Sequence, residues 1–86
     1  MTLSEIVESI HNLEQRMQEF ERRYNLLSDD FYGLAQEGRL EQSADFIRWL
    51  GYYELWLDRK RWYQELLAER FSRLVVEPVA LERVAA

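Results

Sequence analysis

ADFIRWLGYYELWLDRKRWYQELL, residues 44–67, decides how this chain folds. Eight of the twelve aromatic residues lie between Phe46 and Phe71, and no proline interrupts residues 44–74. A continuous helix of about thirty residues, about 45 Å long, is therefore expected. Phe46, Leu50, Tyr53, Leu57, Leu67, Phe71 and Leu74 recur in steps that suit one helical stripe, and Trp49, Tyr52, Trp56, Tyr63 and Leu66 mark an adjoining one. One stripe suits one partner helix; two ask for two.

The residues before this stretch supply a first cover. Thr2-Leu3-Ser4-Glu5 has the form of a capping box, and Leu3, Ile6, Ile10, Leu13, Met17, Phe20, Tyr24 and Leu27 follow in strict three-four alternation. A helix over about 3–27 with a narrow apolar seam is expected. The seam could pair with itself, since Arg16 and Glu21 are complementary in a parallel pair, but packing on the aromatic helix of the same chain is preferred because that helix needs a cover. A short helix over 29–37 should follow, capped by Ser28, with Asp29 and Asp30 in its first turn and Gly38 at a left-handed end. Ser43 should cap the long helix, 44–74. Gly51, in mid-helix, costs about 1 kcal/mol relative to alanine and suggests close backbone approach. Pro78 ends the pattern or opens a short last helix, and the apolar residues of the tail, 75–86, either fold back on the hairpin or dock elsewhere.

Composition narrows the function. Eighty-six residues suit a single domain, short enough that burial by a partner or a second copy is expected. The net charge of −5 disfavours nucleic acid overall and favours basic protein surfaces. Residues 1–43 hold nine acids against four bases, whereas residues 44–86 hold seven of each, so the acidic surface belongs to the first half. There is no cysteine and His11 is the only histidine; no cofactor and no metal site is expected. MTLSEIVESI lacks the features of a secretory signal and no apolar run approaches a membrane span, so the cytoplasm is the expected compartment and no membrane partner is expected.

Reaction chemistry has no foothold: there is no Gly-rich phosphate loop and no nucleophile with a paired base, and His11 falls at a solvent-facing heptad position. No catalytic residue is assigned, and an enzyme is not expected. Arg59, Lys60 and Arg61 beside Trp62 and Tyr63 form the one basic cluster with aromatic neighbours, a possible nucleic-acid contact. Consecutive helix positions fan around the circumference, so solvated helix surface is the preferred reading.

The order Phe31-Tyr32, Gly38-Arg39-Leu40, Asp45-Phe46, Trp49 and Tyr53-Glu54 resembles small all-helical antitoxins of prokaryotic type II toxin–antitoxin pairs, over roughly residues 3–60. The resemblance implies a protein that neutralises a cognate toxin by covering its active surface, acting by binding rather than chemistry. By that implication Trp49, Tyr52, Tyr53 and Trp56 anchor the interface, with Glu54 and Asp58 at its edge. The expected architecture is an all-α, single-domain antiparallel helical hairpin with a short helix at its turn, dimerising into a four-helix bundle. The competing function is a structural or scaffold hairpin whose aromatic surface is consumed by homodimerisation.

Overall fold

Thr2 fixes the start of the first helix. Its backbone N–H donates to the Glu5 carboxylate at 2.7 Å while the Glu5 N–H donates to Thr2 Oγ1 at 3.2 Å, the reciprocal capping box. These bonds hold the Glu5 carboxyl below its ordinary pKa. A computed structural model describes residues 1–74. Three helices account for nearly all of them: α1 (Leu3–Tyr24), α2 (Ser28–Gln36) and α3 (Ala44–Leu74). The fold is all-α, an antiparallel α1–α3 hairpin with α2 as the short connecting helix. The tail, 75–86, with its expected short helix from Pro78, lies outside the described residues.

The first helix stops earlier than its apolar pattern, which continues to Leu27. Asn25 adopts a left-handed conformation, φ 51°, and its N–H closes on the Glu21 carbonyl. Asparagine tolerates that region better than most side chains, so a local backbone signal overrides the heptad. The short helix then begins at Ser28 itself, with Leu27 at the cap position and no side-chain cap. Ser28 is not the expected cap; its hydroxyl is committed to tertiary bonds. The far end matches expectation: Gly38, φ 68°, receives the turn, with Gly38 N–H on Ala35 O at 3.1 Å and Arg39 N–H on Leu34 O at 3.1 Å, the two bonds of a Schellman motif. Ser43 caps α3 through the Phe46 N–H at 3.1 Å.

The α1 seam packs on α3 as expected, burying Ile6, Ile10, Leu13, Met17 and Phe20. Tyr24 meets Phe46 at 5.1 Å between ring centroids, Phe20 meets Trp49 at 5.5 Å, and Glu14 accepts from the Trp56 indole at 3.1 Å. Each step back along α1 is thus a step forward along α3, and this register places Leu3 opposite about residue 66. Beyond that point α3 outruns its cover, and Leu67 and Phe71 are exposed.

Trp49 is the centre of the packing. It is fully buried, stacked on Phe31 of α2 at 3.9 Å with the ring planes 5° apart, and on Phe20 of α1 from 5.5 Å. Stacked pairs contribute about 0.5–1.5 kcal/mol each beyond their burial. Tyr53 is also buried, its ring on Tyr32 at 4.6 Å and its hydroxyl donating to Asp29 Oδ1 at 2.6 Å. The second cover that the aromatic helix demands is therefore α2, supplied by the same chain. At the outer edge, the Asp45 carboxylate takes Arg23 at 2.7 Å and the Tyr24 hydroxyl at 2.6 Å, tying the end of α1 to the start of α3.

Gly51 is exposed, and a Cβ added there would meet nothing within 4 Å. The expected close approach is absent among the described residues, so the glycine only weakens the helix. Gly51→Ala should raise unfolding stability by about 0.5–1 kcal/mol, read as a higher urea midpoint at unchanged slope. A lower midpoint would mean that another surface closes on this position.

Candidate functional site

Where the end of α1, the start of α2 and the middle of α3 meet, the helices leave a cleft of about 360 Å³. Glu14, Met17, Gln18 and Glu21 line it from α1, Ser28 and Asp29 from α2, and Tyr53 and Trp56 from α3, with Leu27 at the rim. Its three acids come from two helices: Glu14 and Glu21 stand two turns apart on one flank of α1, and Asp29 enters from the first turn of α2.

Each carboxylate is oriented by a neutral donor. Glu14 accepts from the Trp56 indole at 3.1 Å, Asp29 from the Tyr53 hydroxyl at 2.6 Å, and Glu21 from both the Ser28 N–H at 2.9 Å and the Ser28 hydroxyl at 2.7 Å. The ion pairs among the described residues involve Asp45, Glu37 and Asp58 instead, so no acid of the cleft has an ion-pair partner among them. Burial, and then the Asp29 carboxylate, push the Tyr53 phenol up to about 12.

These acids are too dispersed for a metal: among the described residues, no group of three or more His, Cys, Asp or Glu could hold a metal ion. What the cleft offers is distributed negative charge over an apolar floor of Met17, Tyr53 and Trp56, with an exposed leucine at its lip. That combination suits a long side chain with an aliphatic stem and a cationic head. Trp56 already carries one cation, since the Lys60 ammonium sits 5.4 Å from its ring centroid.

Of the residues expected to anchor a partner, Trp49 and Tyr53 lie in the core, Tyr52 and Trp56 are half-buried, and Glu54 and Asp58 are exposed. Only Trp56, and Tyr53 by its edge, belong to the cleft. Arg59, Lys60 and Arg61 do not form one basic patch: Arg59 pairs with Asp58 at 3.2 Å and lies over Trp62, Lys60 lies over Trp56, and Arg61 is exposed. Glu14, Glu21 and Asp29 were missed as a group because nothing in their spacing brings two helices together. The available signal was the acidic bias of the first half. His11 is exposed, as its heptad position requires. No described helix is long and apolar enough to cross a membrane. No protein-family model, no curated protein and no solved structure matches the chain.

The Tyr53–Asp29 bond makes alkaline stability a probe of the cleft. A phenol raised from 10 to about 12 favours the fold fully below pH 10, and that contribution is lost as the pH climbs from 10 towards 12. Urea midpoints across this window should fall, and fall less in Tyr53→Phe. Tyr24, raised by its bond to Asp45, accounts for part of the remaining decline. An identical decline in Tyr53→Phe and the parent would contradict this assignment.

Proposed function

We propose that the protein is a non-catalytic binding module that acts by covering a basic surface on another protein, the antitoxin-like role in which a cognate toxin is neutralised by contact. The observation that carries this reading is the cleft: three carboxylates oriented by neutral donors, unpaired among the described residues, above an apolar floor. A basic partner places a lysine or arginine head among the acids and its stem against Met17 and Trp56. The acids also raise the rate of encounter, an effect that weakens with salt. Glu54 and Asp58 are exposed on the solvent face of α3, about 160° around the helix from Trp56, and do not adjoin the cleft. Trp56 is the aromatic anchor on the cleft side, while Trp49 and Tyr53 serve by holding the cleft in shape.

A structural or scaffold role through homodimerisation draws on a different surface. Ile47, Leu55 and Trp62 are exposed at 60%, 46% and 36%, with Gly51 between them. At 100° per residue these four positions fall within a sector of about 80° on the solvent face of α3. Two copies joined there would form the four-helix assembly without using any core aromatic.

Co-expression with the neighbouring open reading frame tests the first reading. The expected result is a stable, salt-sensitive complex that suppresses the neighbour's activity and that weakens at least about tenfold in Glu14→Gln/Asp29→Asn. A complex indifferent to that double substitution rejects the cleft as the contact. A chain that sediments as a dimer and captures no neighbour favours the scaffold role.

A further inference from the structure

The opposite flank of the α1–α3 seam has the opposite sign. A smaller cleft there, about 160 Å³, is lined by Arg16, Glu19, Phe20, Arg23, Arg48 and Tyr52. Arg16 and Arg23 are two turns apart on α1, on the side of the seam away from Glu14 and Glu21, and Arg48 faces them from the second turn of α3. Three guanidiniums thus gather around one hollow in a chain of net charge −5.

Their partners do not account for them. Asp45 holds Arg23 at 2.7 Å and also feels the charge of Arg48, but Arg16 and Arg48 form no ion pair among the described residues. The Arg16 guanidinium carbon sits 5.7 Å from the Tyr52 ring centroid, which fixes it over the cleft wall, and the Tyr52 hydroxyl makes no hydrogen bond within the described residues. Glu19, the one carboxylate of the lining, is exposed and forms no ion pair. The cleft therefore concentrates unspent donors from two helices, and the crowding of like charge is relieved when an anion enters.

We propose that this cleft binds one phosphate group. A planar carboxylate is satisfied by a single bidentate guanidinium, whereas a tetrahedral oxyanion accepts from several directions, as Arg16, Arg48 and the Tyr52 hydroxyl provide. The hollow, about 160 Å³ and open to solvent on one side, has room for a phosphate group. The ligand is thus inorganic phosphate, a small phosphoester head, or one backbone phosphate of a nucleic acid.

Titration of the full chain with inorganic phosphate, followed by NMR at constant low ionic strength balanced with chloride, tests this site. Saturable shifts are expected at the Tyr52 ring and at the Arg16 and Arg48 side-chain N–H signals. Arg48→Gln should weaken binding at least about tenfold and Glu19→Gln should tighten it about two- to threefold; both positions are exposed, and circular dichroism checks that the fold is kept. A short single-stranded oligonucleotide separates the sources. Shifts at the same residues with a steep salt dependence assign a backbone phosphate, and phosphate binding without them assigns a small ligand. Phosphate shifts no larger than those of chloride, equal binding of acetate, or an unchanged Arg48→Gln would each overturn the proposal.

Discussion

The fold turns on how one indole is held. Trp49 lies flat between Phe31 and Phe20, and its single polar atom, Nε1, donates to the Ser28 hydroxyl at 2.9 Å. That hydroxyl donates in turn to Glu21 Oε2 at 2.7 Å, and the Ser28 N–H donates to the same oxygen at 2.9 Å. A buried indole N–H without an acceptor would cost about 1–3 kcal/mol, so the relay allows the largest core residue to sit at zero exposure. It also joins all three helices: the indole belongs to α3, the hydroxyl to α2 and the carboxylate to α1. A nine-residue helix has little intrinsic stability in water, and α2 persists because it is anchored in this way and by the Tyr53–Asp29 bond.

The same arrangement divides the surface. By docking on one flank of the seam, α2 brings Asp29 alongside Glu14 and Glu21 and forms an acidic cleft there, while the other flank stays open and carries Arg16, Arg23 and Arg48. The charged heads of Lys60 and Arg59 lie over the rings of Trp56 and Trp62. The result is a small hairpin with two hollows of opposite charge separated by the width of the α1–α3 pair. The surplus apolar surface lies elsewhere, on the solvent stripe of Ile47, Leu55 and Trp62 and on the overhang of Leu67 and Phe71.

The helical hairpin was legible because hydrophobic periodicity reports burial: the seam residues from Leu3 to Tyr24 and the aromatic run of α3 give the pairing, Leu27 alone of the pattern falling outside α1 and exposed, and Thr2, Ser43 and Gly38 give three of the helix ends. The error lay in the accounting of α2. Phe31 and Tyr32 each stack on an aromatic of α3, so Trp49 and Tyr53 need no second chain to hide them. Asn25 was passed over, and Ser28 was misread as a cap, for a related reason. A left-handed asparagine and a serine diverted from capping to a tertiary bond both depend on where the chain goes next. The clefts were not legible at all, since each is assembled from residues on different helices whose spacing carries no local pattern.

A double-mutant cycle on Ser28→Ala and Trp49→Phe, measured by urea unfolding, tests the account at its centre. Trp49→Phe keeps a ring between Phe20 and Phe31 but removes the N–H, and Ser28→Ala removes the hydroxyl that receives it. If the relay holds the helices together, the two losses overlap and the coupling exceeds about 1 kcal/mol. Additive effects, within about 0.5 kcal/mol, would mean that the indole is held by packing alone and that the three helices share no polar linchpin.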